Sequence, residues 1–163
     1  MKMKRSLTVT WEDPLAAFEQ GRQMPPIEYL RAIRDSRIPA PPIAQLLGMD
    51  LVEVDEGRAV FALTPAEQHY NPIGVVHGGI AFTMLDSAMG CTVQSLLPAG
   101  KGYTTLEIKA NLVRPITLQT GPIRASAKIV HMGRQTATAE GRIEDSQGKL
   151  YAHGTTTCII LGA

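Results

Sequence analysis

From Gln68 to Gly100 the chain carries a single formal charge, Asp86, with histidine taken as neutral. Within that stretch, residues 78–97 contain no proline and run into Pro98 and Gly100, which predicts one long helix. Apart from Asp86 and a few small hydroxyl residues, this helix has no polar face. A helix apolar all round must be buried, so the rest of the chain is expected to wrap it.

The surroundings read as strand. Leu51, Val52 and Val54 lead through Asp55-Glu56-Gly57 into residues 59–63, the pattern of a hairpin turning at a glycine. After the helix, strands are expected over 103–114, 123–131, 136–144 and 150–161. Gly121-Pro122, Met132-Gly133 and the 145–148 turn punctuate them. Hairpin, long helix, then antiparallel meander is not the one-by-one alternation of a parallel sheet. The expected class is α+β: a long central helix wrapped by a curled antiparallel sheet. Ahead of it, Ile27, Leu30 and Ile33 lie at helical spacing behind Pro25-Pro26. Pro39, Pro41 and Pro42 then form a stiff connector, and residues 43–47 fit a short helix stopped by Gly48. This divides the chain into an N-terminal helical extension, 1–42, and a main domain, 43–163.

Composition narrows the function. A net charge of +1 over 163 residues gives no global field for nucleic acid or an anionic membrane. Any phosphate must therefore be held by local donors. Two distant cysteines, Cys91 and Cys158, do not make a disulfide framework, and a reduced compartment is expected. The start has basic residues followed by Thr, Trp, Glu and Asp where a signal peptide would be apolar. A cytoplasmic protein is the reading. His69, His77, His131 and His153 are dispersed, so neither metal nor cofactor is expected.

Asp86 is the residue that does not fit, since aspartate is a poor helix former and burying a carboxylate is expensive. Either it is exposed or capped by a local hydroxyl such as Ser87, or a site needs a carboxylate there as general base or nucleophile. The same helix opens on His77-Gly78-Gly79, where bare amides and the positive end of the helix dipole suit an oxyanion. Gly79 and Asp86 share a helix face but lie roughly 10 Å apart along the axis, too far to act on one carbonyl. A second, antiparallel copy would bring one chain's Asp86 to the other's glycines, which predicts a homodimer with composite sites.

Asn71 to Asp86 (N-P-I-G-V-V-H-G-G-I-A-F-T-M-L-D) resembles the hotdog-fold thioesterases of the PaaI, phenylacetate-degradation type and their hydroxybenzoyl-CoA relatives. The likeness extends over about residues 43–161, taking in Leu112-Val113-Arg114-Pro115, Gly133-Arg134 and Tyr151 to Thr155. It implies a hotdog dimer, often paired into tetramers, hydrolysing an acyl-CoA to acid and CoA, with coenzyme A as part of the substrate. By position, Asp86 resembles the family's catalytic carboxylate and Gly78 the oxyanion amide, supported by His77. Asn71 resembles the polar residue that orients water or thioester from the partner subunit, and Thr105, in preference to Thr104, the hydroxyl that positions water. Gly79, Arg114, Gly133 and Arg134 resemble the segments that contact substrate and the nucleotide of CoA. Some relatives carry Glu with a Thr one turn later; here that later place is Gly90. The alternatives are a hydratase on the same scaffold, or a non-catalytic acyl-CoA-binding or sensor protein. The extension is expected to cover the acyl tunnel or to dock a partner.

Overall fold

The computed structural model describes residues 4–162; Met1 to Met3, the basic beginning of the extension, and Ala163, the end of the 43–163 segment, lie outside it. The elements are α1 (Pro14–Gly21), α2 (Pro26–Arg34), α3 (Pro42–Leu47), β1 (Met49–Asp55), β2 (Arg58–Leu63), α4 (Gly78–Gln94), β3 (Gly102–Leu112), β4 (Ile123–Met132), β5 (Thr136–Asp145) and β6 (Leu150–Leu161). Six antiparallel strands form one sheet in the order β1-β2-β4-β5-β6-β3, with α4 lying across it. This is the expected α+β, hotdog arrangement.

α4 buries Ala81, Met84, Leu85, Ala88, Met89 and Val93, spaced three and four apart, against the sheet. Its close approach depends on Gly141 of β5, where a Cβ would stand 3.1 Å from both Leu85 Cδ2 and Met89 Cγ. The helix ends at Gln94, earlier than Pro98 suggests, because Ser95 Oγ accepts the Gly57 N–H at 2.8 Å and ties that end to the β1–β2 turn.

Three features depart from the sequence reading. First, α4 is wrapped on one side only: Gly79 and Asp86 are exposed, and Ile80, Phe82 and Ser87 are half-buried. The sheet curls around the inner stripe and leaves the other face of an apolar helix uncovered. Second, β3 does not begin the meander. It pairs with β6, while β4 takes β2, because the connection over 113–122 carries the chain across the end of the sheet. β3 is thereby an 11-residue edge strand, paired among the described residues only with β6. Third, the extension shares the main core: Leu30 of α2 joins the central cluster, and Ala32 and Ile38 are also buried. α1 was not expected, although its start was written: Asp13 Oδ1 accepts the Leu15 N–H at 2.9 Å, with Pro14 at the first helical position.

Among the described residues no helix is long and apolar enough to cross a membrane, and no cluster of three His, Cys, Asp or Glu residues could hold a metal ion.

Candidate active site

The N-terminus of α4 is built by histidine. His77 Nδ1 accepts the Gly79 N–H at 2.9 Å and so caps the helix, while the His77 N–H donates to the His69 carbonyl at 2.8 Å. Of the two glycine amides, Gly79 is thus engaged. The Gly78 N–H, at the first helical position, has no intrahelical acceptor by construction. Asn71 sits in the loop before it. Its Oδ1 accepts from Ile73 N at 3.0 Å and Val75 N at 3.3 Å, folding residues 71–75 into a tight turn and leaving only the amide NH₂ for a ligand. Asn71, His77, Gly78 and Arg114 line one cavity of about 260 Å³ with Leu112 at its wall.

Asp86 lies two turns further along, ~12 Å from Gly78 by helical rise, and is absent from that cavity. Its Oδ1 accepts from Thr105 Oγ1 at 2.9 Å. The hydroxyl comes from β3, not from Ser87. A bulge in β3 between Thr105 and Glu107 turns Leu106 outward and aims Thr105 at the helix. Tyr103, two residues earlier on the same strand face, stands over Gly90: a Cβ at Gly90 would fall 2.3 Å from the Tyr103 Oη. No helical side chain fits beneath that ring.

The residues expected at the nucleotide divide into two places. Arg114 sits at the Gly78 end, where its Nη1 donates to the Leu150 carbonyl at 2.5 Å. It also borders a neighbouring cavity of about 340 Å³ that includes Lys149 and Tyr151. Gly133-Arg134 form the β4–β5 turn beside the far end of β6, where the Gln135 carbonyl accepts from Ile160 N at 2.8 Å. Gly133 is required there because a Cβ would meet the Thr136 carbonyl oxygen at 2.9 Å. The length of β6, on the order of 30 Å, separates the two arginines, so a single chain does not bring them to one ligand.

Residues 73–152 match the family model described as Thioesterase superfamily. The acyl-coenzyme A thioesterase PaaI of Escherichia coli (strain K12) is 31% identical over 111 residues, which span 67% of this chain and 75% of that one. The chain belongs to the thioesterase superfamily. The 1,4-dihydroxy-2-naphthoyl-CoA hydrolase of Listeria monocytogenes is 29% identical over 118 residues, covering 72% of this chain and 94% of its own. The solved structure of the E. coli PaaI protein superposes with a TM-score of 0.68 at 28% identity, over 74% of this chain and 85% of that one.

In this thioesterase-superfamily chain two groups near Asp86, Cys91 and Tyr103, are kept protonated at neutral pH by burial. Burial, reinforced by the charge of Asp86, pushes the Cys91 thiol up to about 12, so it stays protonated at neutral pH. Burial, with Cys91, Cys158 and Asp86 adding to it, likewise raises the Tyr103 phenol well above its usual value. Tyr103 was not singled out from the sequence, yet strand alternation puts it on the same face as Thr105. Tyr29 of α2, raised by burial and then by Cys91, carries no local signal; only tertiary packing places it near α4. His69 is buried and structural, its Nδ1 accepting from Ala66 N at 3.1 Å.

Proposed function

We propose that the chain hydrolyses an acyl-CoA thioester to the free acid and CoA, in a homodimer whose two sites each draw on both chains. The observation that carries this reading is the split site: a carboxylate held by Thr105, and a free helix-terminal amide ~12 Å away on the same rigid helix. β3 offers the means to reunite them. Leu112 lies beneath Gly78, where a Cβ would be 2.7 Å from Leu112 Cδ1, and Thr105 lies beneath Asp86. Antiparallel pairing of two β3 edges about an axis midway, near Ile108 and Lys109, sets Thr105 of one protomer against the partner subunit's Leu112. The partner subunit's Gly78 then stands level with Asp86. A long unpaired edge is a template for such pairing, and the exposed stripe of α4 would be covered by the same contact.

In that site the Gly78 amide, at the positive end of α4, donates to the thioester oxygen as it gains charge, worth about 3–4 kcal/mol. Asp86 either takes the proton from a water that attacks the carbonyl carbon, or attacks it directly to form an anhydride that water then opens. The C–S bond breaks in both cases, and the CoA thiolate leaves and is protonated. Thr105 donates to the Asp86 carboxylate and fixes its rotamer. Arg114 and Lys149 on one chain, and Arg134 on the other, supply guanidinium and ammonium groups for the phosphates of CoA.

The test is thiol release from short, medium and aryl acyl-CoAs by wild type and Asp86→Asn. A nearly isosteric loss of charge should lower the rate by about 10²–10⁴. If neither protein releases thiol while acyl-CoA still binds, the chain is a binding protein on this fold and the catalytic assignment fails.

A further inference from the structure

We infer that Tyr103 is a positioning residue of the site alongside Thr105: its hydroxyl, brought in from β3, holds the water that attacks the thioester carbon. The inference rests on the thioesterase reading and deepens it by naming what fixes the attacking water. Gly90 follows Asp86 by four residues, so it lies one turn further along nearly the same face of α4. A Cβ there would fall 2.3 Å from the Tyr103 Oη and 2.9 Å from Cε2 and Cζ of the ring. The hydroxyl therefore occupies the place where a side chain of the helix would stand, and the bare backbone of Gly90 is what admits it. Side chains four apart on a helix have Cβ atoms about 5–6 Å from each other. The gap between hydroxyl and carboxylate is then on the order of 5 Å, which one water spans with two hydrogen bonds of about 2.8 Å.

The two threonine hydroxyls nearest Asp86 are committed. Thr105 Oγ1 donates to Asp86 Oδ1 at 2.9 Å, and Thr83 Oγ1 donates to the Gly79 carbonyl at 2.9 Å. Each has a single hydrogen to give, so neither can also donate to a water. Ser87 lies about 100° round the helix from Asp86, whereas Gly90 lies about 40°. The Tyr103 phenol is a donor that stays one: burial, then the neighbouring Cys91, Cys158 and Asp86, hold its pKa well above the usual value. Thr105 takes Oδ1, which leaves Oδ2 for the water. The water accepts the Tyr103 O–H, donates one hydrogen to Asp86 Oδ2, and directs its remaining lone pair at the thioester carbon. As the C–O bond forms and the C–S bond breaks, that hydrogen passes to the carboxylate and then to the departing CoA sulfur. Tyr103 begins and ends the cycle protonated, so its part is orientation.

Thiol release from the acyl-CoA that wild type turns over fastest, read as kcat and KM, tests this on variants whose melting curves show them folded. Tyr103→Phe keeps the ring over Gly90 and removes the hydroxyl. It should lower kcat about ten- to hundredfold and leave KM within about twofold. Returning a hydroxyl from the helix side separates orientation from packing. Tyr103→Leu clears the ring, and Gly90→Ser added to it places a hydroxyl close to the space that Oη held. The double variant should exceed Tyr103→Leu several-fold in kcat, which a purely structural role for the ring would not produce. Tyr103→Phe carries the test if the double variant does not fold. A Tyr103→Phe protein with wild-type kcat, or one altered in KM alone, overturns the proposal, as does a folded double variant that gains nothing over Tyr103→Leu. In each of those cases the thioesterase reading stands if Asp86→Asn still falls. A wild type that releases no thiol from any acyl-CoA removes the thioesterase reading, and the water site with it.

Discussion

Gly78→Pro deletes one N–H from the candidate site and almost nothing else. As the first residue of α4, Gly78 makes no intrahelical bond with that hydrogen, and proline is well tolerated at this position. The residue before a proline must be extended, and His77 already is, at φ −61° and ψ 134°. The steric cost falls on Leu112, whose Cδ1 lies 2.7 Å from the new Cβ. Being the far end of a half-exposed side chain, it can turn aside for about 0.5–1.5 kcal/mol, a few degrees in Tm. Loss of an oxyanion donor costs far more in rate, about 10²–10³ in kcat. The two effects separate cleanly in one variant: a melting curve close to wild type, with thiol release nearly abolished. The proposed composite site adds a second reading. When Gly78→Pro and Asp86→Asn chains are unfolded together and refolded, half the dimers are mixed. Each mixed dimer carries one site with both lesions and one with neither, so about a quarter of wild-type activity returns. A mixture that stays at the level of its parents refutes the two-chain site, and a Gly78→Pro protein with full kcat refutes the oxyanion role.

Thr105→Val removes the hydroxyl that holds Asp86, a bond to a charged acceptor, and kcat should fall about tenfold or more; a change confined to KM would mean the hydroxyl serves binding instead. Leu30→Ala should lower the unfolding free energy by about 2–5 kcal/mol in urea titrations, because Leu30 is part of the central core. An unchanged midpoint would mean that α2 docks without contributing to folding. His69 gives a pH signature: burial lowers its pKa, the nearby Leu47 carbonyl opposing this only in part, and its Nε2 has no hydrogen-bond partner among the described residues. Above about pH 7.5, a unit over the ordinary histidine value, both states are neutral there and stability is unaffected. Below it the unfolded chain takes up a proton that the folded chain resists, so the urea midpoint should drop between about pH 7 and about pH 5.5. His69→Gln should flatten that slope, and an equal slope in the variant would place the titrating group elsewhere.

Much of the fold is written locally. Apolar period and glycine or proline punctuation locate every strand to within two residues or so, and Gly48, in the left-handed conformation at φ 64°, stops α3 where the sequence puts a stop. α4 announces itself by its lack of charge, and Asp86 by being the exception. The same local logic misleads at one point: an apolar surface says that something covers it but not what. Here the chain's own sheet covers one face of α4, and the face bearing Gly79 and Asp86 is left open.

The candidate site is legible as residue types and spacing. His77-Gly78-Gly79 and Asp86 are nine positions apart at most, and helical geometry alone separates them in space. What spacing does not contain is which glycine amide is free, since that depends on His77 Nδ1 having taken the Gly79 N–H. Nor does it choose between Thr104 and Thr105, a matter of strand face and of the bulge that aims Thr105 at Asp86.

The sequence by itself determined the elements, the charge-poor helix and the chemistry available on it, because these follow from periodicity, propensity and pKa, which act over a few residues. Only the tertiary structure decided that β3 pairs with β6 and lies on the sheet edge, that Arg114 and Arg134 stand at opposite ends, and that Tyr29 and Met24 border the C-terminal half of α4. Those outcomes depend on burying the most apolar area among residues far apart in the chain, a global optimum that no local window records.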